Sequence, residues 1–342
     1  MDRLCTYFDL HFLARGLALH ASLLQHWPDF ELTILCLDAP TEDLLQRMAL
    51  SRVRLVSLAA IERYEPALPA VRGTRSRLGY YLTTTPLLPR YVLDHAPDAS
   101  AVFYLDADLY FFSSPGPVLD ELARGSILVH EHGTAMTGHP HGTFNVGLVG
   151  FRRDEQGLAC LDLWRERCLA WCDEWEGPGG AFGDQQYLDE WPSRFSRLVV
   201  ARGRGIGFAP WNLAERALTR EPDGRLLVDG DPLVFFHFHG LRGIGPAALG
   251  AAVAKFDTGI APEVRAAIYR PYVRAVGDAA RRARAKGAAD VAAFPRGIRS
   301  GSGSGGSESR LGRVVRHARV LPELGRRALQ GRLMVVVGDR VF

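Results

Sequence analysis

Lysine is nearly missing from this chain: of 41 lysines and arginines only residues 255 and 286 are Lys. That is a bias of the source genome rather than chemistry. No Gly-x-x-x-x-Gly-Lys string occurs, which excludes a P-loop phosphate site. Gly203-Arg204-Gly205-Ile206-Gly207 lacks the dinucleotide spacing and leads into Pro210, not a helix. The five cysteines (5, 36, 160, 168, 172) are odd in number and form no Cys-x-x-Cys pair. They read as buried free thiols. The first residues lack a signal-peptide pattern, and no apolar run reaches the roughly 18 residues of a membrane span. The expected compartment is the cytoplasm. Charge of one sign is also scarce: the net is +3, and residues 308–342 hold eight Arg against three acids, a local +5. The remainder is 3 − 5 = −2. This argues against a nucleic-acid-binding body and for a basic tail.

What is present is a 342-residue chain, 47% apolar and 23% charged, long enough for a large buried core. Residues 3–8, 31–37 and 53–56 read as strands, with helices predicted over 12–26 and from the cap Thr41 to Leu50. This strand–helix alternation predicts a mixed α/β sheet, mainly parallel, flanked by helices. A helix over 77–93, interrupted at Pro86 and Pro89, precedes a strand ending at Asp106. Strands at 127–129, 145–151, 198–200 and 233–236 and helices over 154–175 and 183–191 follow. The Ala-rich segment 246–295 is predicted to be a helical extension. A Gly/Ser-rich linker occupies 296–309, and 310–342 is a basic amphipathic tail.

Tyr104-Leu105-Asp106-Ala107-Asp108 is the most informative stretch. Side chains alternate along a strand, so Asp106 and Asp108 point the same way at its end. Two adjacent carboxylates repel unless a cation lies between them, and oxygen ligands of this kind suit Mg²⁺ or Mn²⁺. Ligands of open α/β sheets lie beyond the carboxyl ends of strands. Four other segments place polar groups there: Thr6-Tyr7-Phe8-Asp9, Gly142-Thr143-Phe144-Asn145-Val146-Gly147, Gly183-Asp184-Gln185-Gln186, and His237-Phe238-His239-Gly240-Leu241-Arg242. A neutral imidazole at 237 can add a third metal ligand, and Arg242 can meet phosphate oxygens. His130/His132 and His139/His141 are either loop polarity or a zinc site.

These segments, in this order, resemble the GT-A nucleotide-sugar glycosyltransferases, most closely family 8 and its bacterial relatives in polysaccharide assembly. The likeness covers residues 3–245. It implies a GT-A (Rossmann-like) domain over 1–245 that moves a hexose-like sugar from a nucleoside diphosphate, a UDP-sugar being favoured, to a hydroxyl of a saccharide or lipid-linked acceptor. It also implies retention of anomeric configuration. Asp106, Asp108 and His237 would hold Mn²⁺ or Mg²⁺. Tyr7 and Asp9 would meet base and ribose, and Arg77 the sugar or diphosphate. Asn145, Gly147, Gly240 and Arg242 would complete the donor site, with Asp184 and Gln185 beside the anomeric carbon. Gly243 stands where the family expects Lys, with Arg242 one residue earlier a candidate replacement. A sugar nucleotidyltransferase and an inactive glycan-binding module are the alternatives. Loop 130–143 is a candidate lid. Arg310, Arg313, Arg316 and Arg319, interleaved with Leu311, Val314, Val315 and Val320, make the tail a candidate for peripheral contact with the inner face of the cell membrane.

Overall fold

Apolar residues on both faces of β1 (Asp2–Phe8) set the architecture. Leu4 and Phe8 enter one core, while Cys5 and Tyr7 enter another on the opposite face. A strand buried on both sides belongs at the centre of a sheet covered by two helical layers. The computed structural model describes residues 1–133, 142–175, 177, 183–245, 248–250, 259–294, 333–337 and 340–341.

After β1 come α1 (Leu13–His26), β2 (Phe30–Cys36), α2 (Ala39–Met48) and β3 (Val53–Ser57). Helices α3 (Leu58–Tyr64), α4 (Ala67–Val71), α5 (Arg77–Thr83) and α6 (Leu87–His95) follow. Then come β4 (Ala101–Leu105), β5 (Leu109–Phe111), α7 (Gly116–Ala123), β6 (Ile127–Glu131), β7 (Phe144–Arg152), α8 (Glu155–Ala170), α9 (Trp191–Arg194) and β8 (Leu198–Val200). The seven-stranded sheet has the order β3-β2-β1-β4-β7-β6-β8. Only β7 runs against the other strands. The expected mixed, mainly parallel sheet is therefore present. The chain runs β1, β2, β3 toward one edge, then returns to place β4 on the other side of β1. A crevice opens at such a reversal, beyond the strands' carboxyl ends. Tyr7 and Asp9 end or follow β1 there, and Asp106 follows β4.

The remaining elements are β9 (Leu218–Arg220), β10 (Leu226–Val228), β11 (Asp231–Pro232), β12 (Phe235–His237), β13 (Arg242–Gly245), β14 (Ala248–Gly250), α10 (Pro262–Val264), α11 (Arg270–Ala285), β15 (Leu333–Val337) and β16 (Arg340–Val341). Strand β12 pairs antiparallel with β5, bringing His237 opposite Leu109. Helix α11 packs on α1 through its buried Val276, Ala279, Ala280 and Ala283. No helix among the described residues is long and apolar enough to cross a membrane.

Several boundaries differ from the sequence expectations. The cap of α2 is Asp38, whose carboxylate accepts from Thr41 N at 2.8 Å. The chain leaves β2 extended at Asp38, and its carboxylate is then in reach of the free N–H groups of the first turn. Helix 77–93 is two helices, Pro86 standing at the N-cap of the second, where its missing N–H costs nothing. Helix α8 stops at Ala170. Beyond it Asp173 holds Ser76, the N-cap of α5, accepting from Ser76 N (2.9 Å) and Ser76 Oγ (2.5 Å). Residues 186–190 form a 3₁₀ turn leading into α9. Within the segment read as a helical extension, Ala248–Gly250 is a strand between β13 and β15. Within the tail, β15 carries Met334 into the α1–α11 core. The linker, Arg310, Arg313, Arg316 and Arg319, and residues 134–141 of the candidate lid, including His139 and His141, lie outside the described residues.

Candidate metal centre

The carboxylates of Asp106 and Asp108 and the imidazole of His237 converge, with one ligand atom from each within 4.8 Å of the others. Among the described residues this is the one group of three or more His, Cys, Asp and Glu side chains able to share an ion. Strand β4 delivers Asp106, whose N–H still donates to Gly147 O on β7 at 2.8 Å. The chain then turns, Leu109 N bonding Asp106 O at 3.1 Å. His237 arrives from far downstream through the β12–β5 pairing. Phe238 N donates to Asp108 O at 3.0 Å and His237 N to Phe208 O at 2.9 Å, which fixes the backbone on both sides. His237 Nε2 lies 3.1 Å from Asp108 Oδ1 and 3.6 Å from Asp106 Oδ2. Tyr104 donates its hydroxyl to Asp106 Oδ1 at 2.8 Å.

Burial opposes charge on all three groups, and their mutual fields decide the outcome. For Asp108 the burial penalty is outweighed by His237, and its carboxyl is held down at about 2. For Asp106 burial wins and the neighbouring Asp108 adds to it, so the carboxyl is pushed up despite His237. Burial presses His237 toward neutrality, but Asp108 outweighs it and the imidazole is pushed up. The pocket therefore favours positive charge between its two carboxylates. A hard divalent cation supplies that charge equally well, and two oxygens with one imidazole nitrogen suit Mg²⁺ or Mn²⁺.

The tautomer of His237 is set behind the centre. Asn145 Oδ1 accepts from Gly147 N at 2.9 Å and faces His237 Nδ1 at 3.2 Å. An oxygen there requires Nδ1 to carry the proton, leaving Nε2 toward the carboxylates. Asn145 Nδ2 donates to Gln185 Oε1 at 3.1 Å and to His132 Nε2 at 3.0 Å. His132 Nδ1 then donates to Thr143 O at 3.2 Å. All four hydrogen-bonding positions of the buried Asn145 amide are used within the protein. Gln185 Oε1 also accepts from Val146 N at 3.0 Å. Register explains how Asn145 reaches this place. Between Gly150 and Asn145 strand β7 spends four residues while β6 spends only Val129. Such a bulge re-aims a side chain next to a site.

Asp184 is buried, and its Oδ2 has no hydrogen-bond partner. Burial pushes its carboxyl up to about 7, against a hydrogen bond from Thr85 and with help from the charge of Asp106. Tyr7 and Thr85 share a hydrogen bond of 3.1 Å, and the rings of Tyr7 and Tyr104 are 5.8 Å apart. Trp164 Nε1 donates to Asp184 O at 2.8 Å. Farther out, Arg77 Nη2 meets Asp9 Oδ2 at 3.0 Å, and Asp9 Oδ1 accepts from His11 N and Phe12 N. Gly240 turns the chain with φ +68° after β12, and Arg242 is exposed at the start of β13.

The structure thus gathers Asp106, Asp108, His237, Asn145, Gly147 and Gln185 into one network, with Asp184 and Tyr7 on the Asp106 side. Asp9 and Arg77 form a separate pair. Sequence reasoning did not place Tyr104, Thr85 or Asn212 at the site, and it read His132 as loop polarity or a zinc ligand. Asn212 Nδ2 donates to His132 O at 2.6 Å, and Trp211 sets its ring 5.6 Å from His237 and 5.1 Å from His132. The string His130-x-His132, read as loop polarity or a zinc site, was the available signal.

Fold and cluster together define an α/β protein with a candidate divalent-metal centre in the crevice where its sheet order reverses. The chain belongs to the family of the uncharacterized protein YfnF of Bacillus subtilis (strain 168): the two are 33% identical over 249 residues, 70% of this chain and 81% of that protein. No protein-family model matches. Among solved structures the chain is similar to apo mouse xyloside xylosyltransferase 1, with TM-score 0.45, 11% identity, and 70% of this chain and 98% of that chain covered. It is also similar to the galactosyltransferase LgtC in complex with donor and acceptor sugar analogs, with TM-score 0.42, 15% identity, and coverage of 78% and 100%.

Proposed function

We propose that this protein is a metal-dependent glycosyltransferase of GT-A, family 8-like type, transferring a hexose-like sugar from a nucleoside diphosphate, UDP favoured, to a hydroxyl of a saccharide or lipid-linked acceptor. The carrying observation is that His237 meets Asp106 and Asp108, 129 or more positions upstream, at the reversal point of the sheet. An Asp-x-Asp turn built only for local reasons has no need of an imidazole whose second nitrogen is held by a saturated Asn.

Asp106, Asp108 and His237 would hold Mn²⁺ or Mg²⁺, which would supply positive charge to offset that of a departing diphosphate. Tyr7 offers a ring to the base, and Asp9 an acceptor to base or ribose. Arg77 reaches the sugar or diphosphate from its place beside Asp9, and Arg242 meets phosphate oxygens from the start of β13. Gly147 and Gly240 let backbone approach the donor. Asp184 and Gln185 flank the sugar. Asp184 Oδ2, unpartnered and close enough to Asp106 to feel its charge, steadies the oxocarbenium-like carbon as the bond to diphosphate breaks. The acceptor oxygen then bonds on the face the leaving group vacates, with retention, and its proton leaves with the diphosphate. Asn145 positions His237 and Gln185. A polysaccharide-assembly role at the inner face of the cell membrane, with the basic tail as contact, completes the proposal.

The test is release of nucleoside diphosphate from a panel of sugar nucleotides with Mn²⁺, Mg²⁺ or EDTA. Metal-dependent release, lost in Asp108→Asn, is the expected result. Pyrophosphate release from a nucleoside triphosphate and a sugar phosphate would instead establish a nucleotidyltransferase. Protection from thermal unfolding by a donor, without turnover on any acceptor, would establish a binding module.

A further inference from the structure

Helix α1 carries a buried cation that neither the metal network nor the sequence motifs include. Arg15 is 7% exposed. It stands in the first turn of the helix, where the dipole already presents positive charge and where neither an acid nor a capping side chain offsets it. Among the described residues no carboxylate forms an ion pair with it, and its one hydrogen bond runs to a backbone oxygen, from Nη2 to Leu241 O at 2.7 Å. A buried charge without an ionic partner is costly. The placement calls for an anion from outside the chain.

Three contacts locate the guanidinium at the crevice. Its Cζ is 4.3 Å from the centroid of the Phe12 ring, and Phe12 N donates to Asp9 Oδ1, so this side adjoins the turn that ends β1. Leu241 O follows directly on the Gly240 turn after β12. Asp108 lies on the third side: burial pushes its carboxyl up, His237 and His239 hold it down, and Arg15 is near enough to add to them. Asp9, Gly240 and Asp108 belong to three separate segments of the candidate donor site, and Arg15 is the residue that touches or feels all three. An aromatic ring takes a face of a guanidinium and leaves the N–H groups free around its edge. Nη2 spends one N–H on Leu241. Nε and Nη1 have no protein partner among the described residues and are not sealed from solvent.

We propose that Arg15 is a fixed phosphate-binding cation of this crevice, giving its remaining N–H groups to the diphosphate of a nucleoside-diphosphate donor. The identity of that ligand rests on the transferase reading. Arg242 is exposed, so water screens its charge, whereas a cation held out of water acts on a phosphate more strongly. The bond to Leu241 O fixes the guanidinium in advance, and a planar fork of donors matches phosphate oxygens.

The test is titration calorimetry on the full chain, first with Mn²⁺ alone, then with UDP, GDP, ADP, CDP and TDP in the presence of Mn²⁺. The wild type should bind at least one diphosphate saturably. Arg15→Met keeps the aliphatic stem beside Phe12 and removes the charge. It should bind that diphosphate about tenfold or more weakly, the scale of one charge-assisted hydrogen bond, and bind Mn²⁺ alone no more weakly than the wild type. Arg15→Lys keeps the charge and should recover most of the loss. Arg15→Gln keeps a donor for Leu241 O and carries the same comparison where Arg15→Met does not fold. Binding of no diphosphate by the wild type would overturn the transferase reading together with this one. Tight diphosphate binding by the wild type, unchanged in Arg15→Met and Arg15→Gln, would overturn the role of Arg15 alone. Mn²⁺ affinity falling in step with diphosphate affinity would also overturn it, making Arg15 a brace for the Gly240 turn rather than a phosphate ligand.

Discussion

His237 Nδ1 faces Asn145 Oδ1 at 3.2 Å across 92 positions of sequence, and that bond turns Nε2 toward Asp106 and Asp108. A metal-binding imidazole needs its other nitrogen held, since the holder sets both tautomer and ring angle. Asn145→Ala should therefore weaken Mn²⁺ binding by about 10–100-fold, the usual scale for such outer-shell partners. It should also lower stability, because Gly147 N and His132 Nε2 lose a partner at ~1–3 kcal/mol each. Calorimetric Mn²⁺ titration together with urea unfolding checks both. Unchanged Mn²⁺ affinity in a folded variant would refute the positioning role.

Asp184 gives a pH signature. Its folded carboxyl is pushed up to about 7, while an unfolded Asp titrates near ~3.9. Between those values the folded state holds a proton that the unfolded state has released. Stability from this group is thus highest below about pH 4 and falls as pH rises to about 7. A shift of that size corresponds to ~4 kcal/mol. Asp184→Asn mimics the protonated acid and removes the penalty. The variant should match the wild type near pH 4, exceed it by a few kcal/mol at pH 8, and lose transfer activity. Urea unfolding at both pH values reads this. A difference that does not grow with pH would contradict the buried, unpartnered carboxylate.

How much of this was legible in sequence varies by the range of the interaction. Apolar runs ending in polar residues announced β1, β2, β3 and β4, because a strand's burial pattern is written in its own residues. Asp106 and Asp108 were readable for the same reason, two positions on one strand end. His237 was readable as a possible third ligand at the end of an apolar strand, but the pairing that brings it to them is not written in its spacing. Strands β5 and β12 have three residues each, too few to show a period. His132, Trp211 and Asn212 are joined by side-chain contacts between distant loops, and no local spacing encodes those. Asn145 stood out as a donor-site residue, but the irregular register of β7 that gives it four protein partners is a property of the folded sheet.

Gly147 is held to glycine by space rather than by backbone conformation. An added Cβ would lie 2.6 Å from Asn145 Oδ1 and 2.9 Å from His237 Nδ1. Gly147→Ala must push these two side chains apart. It should cost ~1–3 kcal/mol as overpacking does and lower Mn²⁺ affinity with it, since the Asn145–His237 bond is what gives way. Stability and metal titration should therefore fall together. A stable variant with wild-type Mn²⁺ binding would show that the network relaxes without cost.

Tyr104 separates positioning of a ligand from packing. Its hydroxyl donates to Asp106 Oδ1 at 2.8 Å, and its ring is 1% exposed in the core shared with α6 and α8. Burial, reinforced by the charge of Asp106, pushes the phenol well above its ordinary range, so it remains a donor at working pH. Tyr104→Phe keeps the ring and removes only the donor. Stability should change by no more than ~1.5 kcal/mol, one net hydrogen bond. Mn²⁺ affinity should fall about tenfold, because the free carboxylate oxygen is no longer held in place. The expected pattern is a near-native urea midpoint with a shifted Mn²⁺ isotherm. A large loss of stability with unchanged metal binding would assign Tyr104 to the core alone.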